Sequence, residues 1–235
     1  MKLTDQHIKE LYTFTRQHYV EHYDVQTELV DHLANDIEQL WEEKPTLSFE
    51  QARDASFKKF GVFGFMNIVE EKQKQLGKKY RTILWKHVKE WFRLPKIILT
   101  IGVFFFFYYC MQISIGIYVL GVSLLILAIL NLYWVLQLKK EFKKRTRKNH
   151  KKWMLEELIF NVASFGGILV ASNLPQLFTY AEKTPSNLGA FSISLLITLA
   201  IVYSYITLVI IPKKAEVLLQ EQYPEYKIAN NLMVE

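Results

Sequence analysis

The sequence predicts an all-α integral membrane protein, with four transmembrane helices preceded by a small cytoplasmic helical domain and an amphipathic juxtamembrane helix. Three observations predict it. Residues 94–138 contain a single charge, Lys96, in a run of 45 residues. Apolar stretches lie on both sides of Lys139–Trp153, which reads KKEFKKRTRKNHKKW and sets nine Lys or Arg against the single acid Glu141. Residues 1–93 are polar, with apolar side chains recurring every three or four positions as in short amphipathic helices. A basic run between two membrane segments stays on the cytoplasmic side, so residues 139–153 fix the orientation of everything else.

Charge is segregated along the chain. Residues 1–58 carry six Lys or Arg and twelve Asp or Glu, net −6, whereas residues 139–153 are net +8. The basic pI of 9.1 therefore comes from membrane flanks, and no DNA partner is expected. The only cysteine, Cys110, lies within an apolar segment, which leaves no intramolecular disulfide and no thiolate metal cluster. The opening MKLTDQHIKELY has no apolar run, so a cleaved signal peptide is not expected.

Residues 1–64 form the predicted cytoplasmic helical domain. Thr4 is a candidate N-cap for a first helix through Ile8, Leu11, Tyr12 and Thr15, ending near His18. Asp24 opens a longer helix to Glu43, whose Val25, Leu29, Leu33, Ile37, Leu40 and Trp41 make one apolar stripe. Lys44-Pro45 stops it. Ser48 and Gln51 have capping-box spacing, and Gly61 stands where a left-handed helix stop is expected. Glu28, His32 and Asp36 line one row of the second helix at i, i+4 and i+8. An acid–His–acid row suits a divalent metal, but no further His or Cys stands at ligand spacing. The row reads better as solvated or ion-paired carboxylates, with His32 at the stripe's edge, and no metal or other cofactor is expected.

The acidic helix TELVDHLANDIEQLWEE, then LSFEQARDASFKKFG and FMNIVEEKQKQL, carry a resemblance over residues 21–76. This region resembles the small helical domain of the HAAS group, found in bacterial membrane proteins paired with PadR-type repressors. The shared features are the acidic helix, the Ser48, Gln51, Ala52 helix start and the Phe60-Gly61 stop. The chain lacks the Gly that usually precedes that start. The resemblance implies a non-catalytic cytoplasmic module on a membrane anchor. The whole layout also resembles uncharacterised bacterial four-span membrane proteins of this size.

Residues 65–93 alternate Leu76, Tyr80, Ile83, Leu84, Val88 and Trp91 with Lys78, Lys79, Arg81, Lys86, Lys89 and Arg93. This is an amphipathic basic helix, suited to the membrane interface with Trp85 and Phe92 at headgroup level; a plain helical linker is the simpler reading. Residues 94–138 as one helix would span roughly 65 Å, about twice the hydrocarbon thickness. The segment must therefore fold back, near Gln112, Ser114 and Gly116, giving spans at 95–113 and 117–138. The third span, 157–178, carries Ala163, Gly167 and Ala171 at four-residue spacing, a small-residue face for close helix packing. Glu156 and Glu157 stand in its first turn, where carboxylates suit the helix dipole and the neighbouring lysines. The fourth span, 191–211, ends at Pro212, Lys213 and Lys214, and 212–235 is a cytoplasmic tail with one short amphipathic helix. Both termini then lie on the cytoplasmic side of a bacterial inner membrane.

No ionisable group stands inside the spans away from their ends, and no hydrolase, P-loop or metalloprotease motif occurs. The chain thus reads as a non-catalytic interaction protein, either an accessory subunit of a membrane complex such as insertion or secretion machinery, or a signalling anchor. The alternative is a small-molecule transporter or channel-like protein. The candidate contact set is Lys139, Lys140, Lys143, Lys144, Arg145, Arg147, Lys148, Lys151 and Lys152. Anionic lipid headgroups or ribosomal RNA are the ligands, beside the bilayer and a membrane-protein partner; the simpler reading of this run is that it only sets topology.

Overall fold

The computed structural model describes residues 2–113, 116–149, 151–161 and 186–226, without the side chains of 117, 148 and 149. Among them all regular structure is helical. The chain divides into two compact units, one of Met1–Lys79 with Asn149–Leu155, the other of Tyr80–Lys148 with Glu156–Glu235.

The first unit holds α1 (Asp5–Gln17), α2 (Tyr23–Glu43), α3 (Phe49–Lys58) and the start of α4 (Met66–Trp91). Its helix starts follow the capping chemistry of the sequence. The Thr4 hydroxyl accepts from the His7 N–H, and Ser48 with Gln51 forms a reciprocal capping box. α2 begins at Tyr23, one residue before Asp24, with His22 at the N-cap position. Leu11, Val25, Leu29, Leu33 and Ile37 are fully buried, each contributing about 1.5–3 kcal/mol of apolar burial. A cluster of rings closes one side of this core, with Phe65 4.8 Å from Phe57 and 4.9 Å from Phe60. The acidic row of α2 is ion-paired: Glu28 with Lys72, and Asp36 with Lys59 at 2.7 Å while also accepting from Ser56 at 2.8 Å. His32 is exposed, not packed at the stripe's edge.

In the second unit α5 (Lys96–Cys110) packs on α8 (Asn187–Tyr205), and α6 (Gly116–Asn149) adds Leu120 and Leu124 to a core of Phe107, Met111 and Ala190. A short α7 is helical over 154–161, as far as the description reaches, and its first two residues belong to the first unit. α8 continues through a π-helical turn, Ile206–Ile210, into α9 (Ile211–Lys213). There the Ile211 N–H reaches back to the Ile206 carbonyl. Pro212 next along has no N–H to give and crowds the preceding turn, which accounts for a widened helix at this point. α10 (Ala215–Gln222) is the short helix expected in the tail, with Ala215 and Leu219 buried.

Among the described residues two helices are long and apolar enough to cross a membrane, Tyr118–Arg147 and Asn187–Lys213. A third candidate is the bent pair Met66–Trp91 with Lys96–Cys110, broken by 85°. Their outward faces are apolar: Val122 is 59% exposed and Leu196 66%, which suits lipid contact rather than water. These two helices cover the spans expected at 117–138 and 191–211. The span expected at 95–113 contains α5, whose 15 residues rise about 22 Å, less than the ~30 Å hydrocarbon layer. Beyond residue 161, the span expected at 157–178 lies outside the described residues.

Candidate interaction site: the basic segment

The run 139–153, expected as a loop, is mostly helix. α6 continues without a break from its apolar part to Asn149, because Lys, Arg and Glu are strong helix formers and no Gly or Pro interrupts them. Its last eleven residues carry the helix about 16 Å past Leu138.

Helical register sorts the cations. Lys139, Lys140, Lys143, Lys144 and Arg147 fall within an arc of about 140°, and all five are exposed. Among the described residues none of the five forms an ion pair. Phe142 and Arg145 lie on the other side of the helix. There Phe142 stacks on Phe160 with centroids 5.7 Å apart, and the Arg145 guanidinium sits 5.7 Å from the same Phe160 ring. Arg145 also pairs with Glu141 at 3.2 Å and approaches Glu156 at 3.8 Å.

Glu156 is 1% exposed, and its Oε1 has no hydrogen-bond partner among the described residues. Burial pushes its carboxyl up to about 7; Arg145 pulls the other way, and Glu141 and Glu216 add to the rise. The sequence places this residue in the first turn of a helix, where it suits the dipole and can pair with the neighbouring lysines. Its burial reflects the packing of α7, which sequence spacing does not reveal.

The far end of the run belongs to the first unit and behaves differently. Residues 151–153 have no regular secondary structure and meet the start of α2. The Tyr23 N–H donates to the Lys152 carbonyl at 2.7 Å, and the Met154 N–H donates to Asp24 Oδ1 at 3.1 Å. Lys152 Nζ pairs with Glu21 at 2.7 Å, and Lys151 Nζ stands 4.1 Å from the centre of the Tyr23 ring. Trp153 is fully buried, edge-on to Tyr23 at 5.3 Å, and Leu155 is fully buried beside it. A cation on a ring, an ion pair and two backbone-anchored bonds thus flank a buried Trp.

Eight of the nine candidate cations therefore part into three groups. Five form an open face, Arg145 is engaged with acids and a ring, and Lys151 and Lys152 clip onto the N-terminal helices. The side chain of Lys148 lies outside the described residues, as do the packing candidates Ala163, Gly167 and Ala171. The clip left a signal in the sequence that patterning alone did not use: a net −6 segment and a net +8 segment in one chain. No protein-family model, curated protein or solved structure matches the chain.

Proposed function

We propose that this chain is a non-catalytic interaction protein of the bacterial inner membrane, with both termini in the cytoplasm, which presents the five-cation face of α6 to a polyanionic surface. The N-terminal helices serve as a cytoplasmic module of the HAAS kind. The reading makes the protein an accessory subunit of a membrane complex, insertion or secretion machinery among the candidates, and gives the open face anionic lipid headgroups at its base and ribosomal RNA toward its end. The observation that carries it is the division of labour in the basic run. Cations needed only to set topology have no reason to be sorted by helical register, with five on one open arc and Arg145, Lys151 and Lys152 engaged elsewhere.

The transporter alternative draws less support. Two of the polar groups buried in the second unit close on their own helices, Thr198 donating to the Ser194 carbonyl and Asn131 Nδ2 to the Leu127 carbonyl, both at 2.8 Å, although Asn131 Oδ1 and Ser204 Oγ have no partner among the described residues. Groups satisfied in this way bind no passing solute.

The test is purification of the tagged full-length protein in gentle detergent at low and at high salt, with mass spectrometry of what accompanies it. A parallel preparation reverses Lys139, Lys140, Lys143, Lys144 and Arg147 to Glu. Stoichiometric partners that are lost at high salt or on charge reversal are expected. Recovery of the protein alone under both conditions overturns the reading.

A further inference from the structure

A second surface lies away from the basic segment, at the turn between α3 and α4. The sequence Gly61-Val62-Phe63-Gly64 is held by three short-range bonds: Gly61 N–H to Lys58, Gly64 N–H to Gly61 and Met66 N–H to Phe63, each at 3.2 Å. Gly61 and Gly64 have φ of +78° and +53°, conformations open to glycine and costly for other residues. A side chain at Gly64 would also meet the Phe57 ring, 3.0 Å from where its Cβ would stand. The turn is thus a fixed shape built on the Phe57–Phe65 cluster beneath it.

What it displays is apolar. Val62 is 99% exposed, Phe63 72% and Met66 53%, at a position where turns ordinarily carry Asn, Asp, Ser or Gly. Phe65, two residues from Phe63, is buried at 2%, so the core had access to an aromatic here and the turn turned another one outward. The exposed Lys58 stands at the end of α3 just before it.

From this we infer that the Val62-Phe63 turn, with Met66, is a membrane-contact tip that inserts at the boundary between lipid headgroups and acyl chains. Area decides against a protein partner. Three side chains offer a few hundred Å², whereas a specific protein interface needs about 1,000 Å². A small rigid apolar tip suffices where the domain is already tethered to a bilayer, because tethering supplies the effective concentration. This chain supplies the tether in its own apolar helices. A cation beside an inserted apolar tip is the combination that interfacial anchors use with anionic lipid. The inference needs a bilayer-anchored chain and does not depend on what the basic face of α6 binds.

The experiment uses the full chain with Cys110→Ser, carrying a single environment-sensitive NBD label at Val62→Cys or, as a control, at Glu42→Cys, an exposed position at the end of α2. The protein is reconstituted into phosphatidylcholine–phosphatidylglycerol vesicles with or without nitroxide-labelled lipid, and co-flotation confirms anchoring independently of the tip. NBD at position 62 is expected to be blue-shifted and quenched by the nitroxide about threefold more than NBD at position 42. Phe63→Ser should bring the two positions together. Equal quenching at both positions in the unsubstituted tip overturns the inference. So does a blue shift at 62 that nitroxide lipid leaves untouched, since that would mean the tip is covered by protein.

Discussion

Glu156 is the residue whose environment departs furthest from what its type leads one to expect. A carboxyl raised from 4.5 to about 7 holds its proton more tightly folded than unfolded. Stability is then greatest below the unfolded value and falls as pH rises from about 4.5 to about 7, after which it levels. The full loss is on the order of 3 kcal/mol. Glu156→Gln removes the titrating group while keeping the shape, so thermal unfolding in detergent should show a higher midpoint for the variant at pH 8 and little difference at pH 4.5. A variant midpoint that tracks the parent at both pH values would rule out this account. Trp153 makes the opposite case, in which the conspicuous charges matter least. The Lys152–Glu21 pair is partly exposed, with Glu21 at 69%, and such pairs contribute roughly 0–1 kcal/mol. A fully buried Trp truncated to Ala costs about 3–5 kcal/mol. Trp153→Ala should therefore free the 151–155 segment to protease, whereas Lys152→Ala should leave its cleavage rate near that of the parent.

At the scale of elements, α6 joins two chemistries in one helix. The midpoints of the Lys139/Lys140 and Lys144/Arg147 pairs are about 9 Å apart along its axis, roughly one Debye length at physiological salt. Lipid headgroups should therefore feel the first pair more than the second. Reversing Lys139 and Lys140 to Glu is expected to lower the number of anionic lipids retained in native mass spectrometry by more than reversing Lys144 and Arg147. Equal losses would place the whole basic helix at the headgroups. Much of the element structure was legible in the sequence, because caps and apolar periodicity are local. The Thr4 and Ser48 starts, the α2 stripe and the tail helix stand where those signals put them. The basic run reads as a loop in sequence because charge density suggests solvent and the topology needs a connection, while helix propensity favours continuing α6 to Asn149. The clip at 151–155 joins residues some 130 positions apart. No local pattern encodes such a contact; only the complementary charge of the two segments hinted at it.

On the scale of the whole molecule, the clip constrains topology by parity. Residues 149–155 and the N-terminal helices form one compact unit, which the proposed topology keeps on one side of the membrane. The chain between them must cross an even number of times. If α6 supplies one crossing, α5 and the turn after it must supply another, even though 15 helical residues fall short of the full hydrocarbon thickness. Local thinning of the bilayer and the few further residues to Ile113 can make up a deficit of that size. The far ends agree: Gln112 Nε2 donates to Asn187 Oδ1 at 3.3 Å, which puts the end of the first crossing beside the start of α8. In the four-span topology proposed above, α8 returns the chain to the first side. On a Cys110→Ser background, a membrane-impermeant maleimide should label Glu42→Cys and Lys144→Cys from one side only, and Ile113→Cys and Asn187→Cys from the other. Labelling of position 113 from the same side as position 42 would make α5 a re-entrant segment. A crossing by α6 alone would then separate the two halves of a unit that the clip holds together.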